Sequence, residues 1–318
     1  MTTSMHSRTT SLAIEVLGLH KRYGSHAAVD GLDLRVEHGE TVAILGPNGA
    51  GKTTTLEILE GFRRPDAGTV RVLGTDPAHA GRQWRDRIGV VLQDSRDQAE
   101  LTVREMVRHF AGYYWAPRDP DEVVEAVGLA AKAGARARSL SGGQRRRLDV
   151  ALGIVGAPEL LFLDEPTTGF DPEARRSFWE LVRSLRGDGT TVVLTTHYLD
   201  EAAALADRVV VVTAGRVAAE GTPTSLGGPE ARRPVVHWTQ DGAARSERTA
   251  RPTALVAELA ASLALDDGEI PGLRIETPTL EDVYLDLVSA GRTTERPSAA
   301  APGRHPDTDD LTTTETAR

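Results

Sequence analysis

Three features of this sequence predict an α/β fold with a largely parallel central sheet. Short β-branched runs recur at residues 13–16, 41–45, 69–73, 89–92, 160–163, 190–194 and 208–212. Helical patterns separate many of them, the alternation expected of a sheet packed between helices. The run 41–45 also passes directly into Gly46-Pro47-Asn48-Gly49-Ala50-Gly51-Lys52-Thr53-Thr54, a glycine-rich turn between a buried strand and a helix start.

The elements follow in chain order. Residues 1–11 are Ser/Thr-rich and lack the apolar stretch of a secretory signal, so they read as a disordered, solvated tail. After the first strand at 13–16 comes the glycine-rich turn. Its Gly-x-x-x-x-Gly-Lys-Thr spacing lets bare backbone wrap a polyphosphate, with successive N–H groups and the positive end of the helix aimed at the anion. Lys52 is expected to reach the β- and γ-phosphates, and Thr53 to offer its hydroxyl to Mg²⁺. An ordinary Gly-rich turn is the plain alternative. Against it, the chain has only three lysines, at positions 21, 52 and 132, its other basic residues being arginine.

Between residues 92 and 159 the pattern turns helical. Thr102 and Glu105 have the spacing of a capping box, followed by Met106, Val107 and Phe110, and a second helix is expected over 121–131. Leu140-Ser141-Gly142-Gly143-Gln144 precedes another helical pattern and forms a second candidate anion cradle. The strand at 160–163 ends in Asp164 and Glu165. Carboxylates buried there need a cation or a proton. A magnesium nucleotide on the Lys52 loop supplies one: Asp164 anchors Mg²⁺ and Glu165 polarises an attacking water. Past Gly221, Gly and Pro cluster before a strand at 234–239, a helix at 254–265, a strand at 273–276 and a helix at 280–289, a small C-terminal appendix. Residues 291–318 show no periodicity and read as a second disordered tail.

Composition bounds the partners. With 318 residues and a formal charge of −9, the chain lacks the basic field of a broad nucleic-acid binder, and no nucleic acid is expected. The absence of cysteine excludes disulfides and thiolate metal sites. No apolar run approaches the roughly 20 residues of a membrane-spanning helix.

The phosphate loop, the Leu-Ser-Gly-Gly-Gln segment and the Asp164-Glu165 strand occur in the order seen in the nucleotide-binding subunits of ABC transporters, and residues 12–221 resemble that family. The resemblance implies a P-loop NTPase core of the ABC ATPase type over residues 12–221, with a helical insertion at about 94–158 and an α+β appendix at 222–290. It implies that Tyr23 stacks on adenine, that Gln93 approaches Mg²⁺ and water, and that His197 contacts the γ-phosphate. Asp171 falls in the loop that crosses a dimer interface, with Phe170 standing where the family carries leucine. Arg145, Arg146 and Arg147 read as a helix face near that interface. Two subunits in a head-to-tail homodimer would hold each ATP between the Lys52 loop of one and Ser141-Gly142-Gly143-Gln144 of the other.

Pro278-Thr279-Leu280-Glu281-Asp282-Val283-Tyr284-Leu285, together with residues 140–150, is similar to the drug- and polyketide-exporter subgroup. This implies an ATPase on the cytoplasmic face of the membrane, bound to a separate integral permease of the ABC-2 type. Phe110, Tyr113, Tyr114 and Trp115 would either line a groove for that permease or cap the insertion's own core. The alternatives are a soluble or regulatory ATPase switch and an importer ATPase. Co-purification of a permease, a ribosome or DNA distinguishes them, whereas the cargo is not written in this chain.

Overall fold

The computed structural model describes residues 12–91, 100–263 and 269–293. The chain opens with β1 (Leu12–Tyr23) and β2 (His26–Glu37), paired antiparallel across a two-residue turn. Then come β3 (Thr41–Leu45), α1 (Lys52–Leu59), β4 (Ala67–Val72), α2 (Arg82–Arg85) and β5 (Ile88–Val91). The helical insertion contributes α3 (Val103–Ala111), α4 (Pro120–Ala126) and α5 (Gly142–Ile154). The chain returns to the sheet through β6 (Leu160–Asp164), α6 (Pro172–Gly187), β7 (Thr191–Thr195), α7 (Leu199–Leu205), β8 (Arg208–Thr213) and β9 (Arg216–Gly221). The last part holds α8 (Gly228–Ala231), β10 (Val235–Gln240), β11 (Ala243–Arg248), α9 (Pro252–Leu263), β12 (Arg274–Glu276) and α10 (Leu280–Thr293).

The main sheet has the order β5-β6-β7-β3-β8-β9, parallel except for β9, which pairs antiparallel with β8. Successive side chains of a strand point to opposite faces. Ala43 and Leu45 accordingly join one core cluster, and Val42 and Ile44 the other; Leu161 and Leu163 part from Leu160 and Phe162 in the same way. Burial on both faces is why these strands read as unbroken apolar runs. One face packs on α5, α6 and the insertion, the other on α1 and the three-stranded sheet β2-β1-β4.

The largely parallel central sheet is present as expected, and the second sheet adds to it. Run 13–16 lies in β1 and run 69–73 overlaps β4, and these two strands pair antiparallel with each other rather than joining the parallel strands. The missing partner is β2, whose Leu32, Leu34 and Val36 alternate with exposed or half-exposed residues, a half-buried strand that a search for continuous apolar runs passes over. Other boundaries move by less. The α4 helix ends at Ala126, short of residue 131, and Gly128 lies at φ 70° just beyond it. The strands and helices expected after residue 221 are present, with α8 and β11 added. Leu226 and Val283 are buried in the main core, so this part is packed into the molecule rather than hung from it. A small cluster of Val236, Leu259 and Ile270 lies between α9 and β10. The α10 helix runs to Thr293, three residues into the segment read as a tail; residues 1–11 and 294–318 lie outside the described residues.

Candidate nucleotide site

The glycine-rich turn leaves the end of β3 and enters α1. At Gly46 a Cβ would come within 2.3 Å of the Val212 carbonyl. Gly51 lies at φ 98°, and a Cβ there would reach 2.2 Å from the Ala28 carbonyl. Only glycine allows backbone to pass this close. Pro47, Asn48, Gly49 and Ala50 span the turn between them, and Gly51 caps α1 without any side-chain bond to the first-turn N–H groups. Those groups are the usual anion donors of a helix start. Lys52 is buried, and its Nζ donates to the carbonyls of Gly46 at 2.8 Å and Pro47 at 3.1 Å. Burial lowers its pKa, while the charges of Glu165 and Asp164 hold it up. Thr53 is exposed and Thr54 half-buried at the helix start.

Asp164 ends β6 beside β7, and Thr195 Oγ1 donates to its Oδ1. The Glu165 backbone N–H donates to both the carbonyl, at 3.1 Å, and the Oγ1, at 3.1 Å, of Thr195. Glu165 lies at φ 44°, a left-handed conformation that costs a non-glycine residue roughly 1–3 kcal/mol. Strain held in this way re-aims the side chain where the strand ends. Its Oε2 lies 3.6 Å from His197 Nδ1. The His197 ring is exposed and tilts on Tyr198 with centroids 4.0 Å apart. Lys52, Asp164, Glu165 and His197, distant in sequence, are thereby gathered at the ends of parallel strands.

Ser141 caps α5, its Oγ accepting from the Gln144 N–H at 3.3 Å while its own N–H donates to Gln144 Oε1 at 3.1 Å. Gly142 and Gly143 are left as the open first turn. These four residues, with Asp171 and Glu173, line a polar concavity of about 430 Å³. Its lining contains no residue of the Gly46–Thr54 loop. Asp171 Oδ1 caps α6 by accepting from the Ala174 N–H at 2.8 Å. Tyr23 is exposed at the end of β1, with the Arg63 guanidinium 5.5 Å from its ring centroid. Gln93 lies outside the described residues.

One reading of the sequence changes and two are made more definite. Arg146 is buried, not part of an exposed helix face: its Nε donates to the Pro166 carbonyl at 3.0 Å and its Nη2 to that of Asp164 at 2.6 Å. A signal was present, since Arg146 lies one helical turn before the buried Val150 on the core side of α5. Phe170 turns inward, stacking edge-on against Phe178 with centroids 5.9 Å apart. The four aromatics of the insertion divide: Phe110 and Tyr114 pack against the core, whereas Tyr113 and Trp115 are exposed, Trp115 to 96%. Thr195, which holds both Asp164 and Glu165, had no signal in the sequence beyond its place in a strand.

A Gly-rich loop with a buried lysine facing two carboxylates at the carboxyl ends of parallel strands defines a P-loop nucleotide-hydrolysing core. A family profile described as ABC transporter matches residues 29–168. The daunorubicin resistance ATP-binding protein DrrA3 of Streptomyces coeruleorubidus is 49% identical over 219 residues, covering 67% of this chain and 69% of that protein. The Nod factor export ATP-binding protein I of Burkholderia orbicola (strain AU 1054) is 39% identical over 292 residues, covering 86% and 96%. Among solved structures, the dimeric ATP-binding cassette MJ0796 bound to ADP and Pi superposes with a TM-score of 0.60 at 26% identity, over 66% of this chain and 98% of that one. The chain belongs to the ABC transporter family, as one of its ATP-binding, ATP-hydrolysing members.

Proposed function

We propose that this chain is the ATPase of an exporter whose permease is a separate integral membrane protein of the ABC-2 type, and that it works as a homodimer on the cytoplasmic face of the membrane. The observation that carries the catalytic part is the convergence of Lys52, Asp164, Glu165 and His197. The split between the Lys52 loop and the Ser141–Gln144 concavity supports the dimer, because each chain then presents two incomplete half-sites. The MJ0796 cassette, dimeric with ADP and Pi, is similar in fold. The relatives named for daunorubicin resistance and Nod factor export support export, with a drug- or polyketide-like cargo. Tyr113 and Trp115, exposed on the insertion, are the surface offered to the permease.

The residues fit a magnesium nucleotide. Thr53 presents a hydroxyl at the start of α1 and Asp164 a carboxylate steadied by Thr195, with Gln93 assigned to the same ion, hard oxygen donors of the kind Mg²⁺ takes. When bound, Mg²⁺ neutralises charge on the β- and γ-phosphate oxygens. The loop N–H groups and Lys52 orient the phosphates, Tyr23 stacks on the adenine, and His197 contacts the γ-phosphate. Glu165 takes the proton of the attacking water. Ser141-Gly142-Gly143-Gln144 and Asp171 of the opposite protomer close the site. Phosphoryl transfer of this kind is mostly positioning and charge stabilisation. Glu165→Gln is expected to keep ATP binding, lose about 10²–10⁴-fold in turnover and accumulate as a closed dimer. Radiolabelled-ATP hydrolysis and gel filtration check this; wild-type turnover removes Glu165 from the role.

A further inference from the structure

Glu201, in α7 four residues after His197, has no solvent exposure at all. A carboxylate taken out of water calls for donors that saturate it. The donors are present. Thr167 follows Glu165 by two residues, Thr196 immediately precedes His197, and Trp179 lies on α6; all three present their polar atoms to the Glu201 carboxyl, with the Arg175 guanidinium in electrostatic reach. The bonds are not closed. Among the described residues, neither carboxyl oxygen has a hydrogen-bond partner, nor do Thr167 Oγ1, Trp179 Nε1 or Arg175 Nε. Burial, partly offset by these neighbours, raises the carboxyl's pKa.

The cluster joins two catalytic segments that, among the described residues, no backbone hydrogen bond joins beyond that of Glu165 to Thr195. Thr167 belongs to the loop from Glu165 to Asp171, and Asp171 caps the helix that carries Arg175 and Trp179. Thr196 Oγ1 accepts from the Tyr198 N–H at 3.0 Å across His197, and Tyr198 lies under Arg175 at 4.3 Å. Moving either loop therefore changes how well Glu201 is satisfied. A buried polar network with its partners in place and its bonds loose is sensitive to small shifts of those partners.

We propose that Glu201 is a positioning residue for ATP hydrolysis, holding His197 in register with the Glu165–Asp171 loop through Thr196 on one side and Thr167 on the other. The proposal rests on the assignment of His197 to the γ-phosphate.

The test is steady-state ATP turnover by the full chain carrying Glu201→Ala or Glu201→Gln, each alone and combined with His197→Ala, with thermal melting measured alongside. Glu201→Ala is expected to lower kcat about tenfold or more, within the range of coupling between contacting residues, and to change KM for ATP less than about threefold. Glu201→Gln, which keeps a carbonyl oxygen facing Thr167 and Trp179, is expected to recover most of the rate. In the His197→Ala background, Glu201→Ala should cost nothing more, because the residue acts through His197. Wild-type kcat in Glu201→Ala, or a loss that simply adds to that of His197→Ala, overturns the proposal. Undiminished turnover in His197→Ala alone sinks the assignment of His197 and this inference with it. A deficient His197→Ala beside an unaffected Glu201→Ala sinks the inference only. If Glu201→Ala does not fold, Thr167→Val removes just one hydroxyl from the cluster and carries the same test: loss absorbed by His197→Ala supports the proposal and additive loss overturns it.

Discussion

Individual side chains in this protein carry charge where water is scarce, and the surroundings decide what each charge can do. Burial lowers the pKa of Lys52, and the charges of the two carboxylates that face it hold it up. Glu60, at the far end of the phosphate-loop helix, has no such help. It is buried, and burial, with the charges of Asp164 and Glu57 adding to it, pushes its pKa from 4.5 up to about 8. Below 4.5 folded and unfolded chains are both protonated at this position, and the group does not affect stability. As the pH rises the unfolded chain ionises first, so stability falls through the window up to about 8, where the loss is complete. At roughly 1.4 kcal/mol per unit, Glu60→Gln is expected to gain up to about 5 kcal/mol above that window and nothing below it. Denaturant unfolding at the two pH extremes checks this, and a difference that does not vary with pH rules out a buried, neutral Glu60. The phosphate loop, Asp164 and Glu165 were legible because their residue types and spacing are dictated by chemistry. Glu60, Thr195 and Glu201 were not, because nothing in a residue's neighbours along the chain states how deeply it will be buried.

At the scale of elements, α5 and β6 form the joint on which the site turns. Arg146 reaches across from α5 to the carbonyls of Asp164 and Pro166, on either side of Glu165. Arg146→Ala leaves two acceptors bare in a buried place, at about 1–3 kcal/mol for each. Arg147→Ala, one position on and only half-buried, is expected to cost under about 1 kcal/mol. Urea unfolding of the pair checks the contrast, and equal losses contradict the joint. The strands of the parallel sheet were readable, being apolar on both faces. The hairpin strands β9 and β11 were not, although their turns were marked. Ala214-Gly215 and Asp241-Gly242 both have positive φ at the two central positions, the geometry of tight hairpins. What hid them was composition: β11 is exposed along its whole length and β9 at every second residue, so neither offers an apolar pattern.

For the whole molecule, the decisive question is how two half-sites meet. If each ATP is held by the Lys52 loop of one protomer and the Ser141 cradle of its partner, defects in the two halves must complement. Lys52→Ala and Ser141→Arg chains are each expected to be inactive alone. Mixed in equal amounts, half the dimers are heterodimers, each with one site built from two intact halves, so about a quarter of wild-type turnover should return if the sites act independently. No recovery on mixing, with subunit exchange confirmed, removes the shared site.

Sequence by itself determined the chemistry that this chain carries, because a phosphate cradle, a lysine and paired carboxylates need particular residues at particular spacings wherever they occur. It also determined the parallel strands, through apolar runs that have no other stable use. Tertiary structure alone decided that β1 and β4 leave that sheet to pair with β2, that Arg146 and Phe170 turn inward, and that His197 comes within reach of Glu165. Pairing, burial and approach depend on which distant segments pack together, and that choice is set by the energy of the folded whole rather than by any local run of residues.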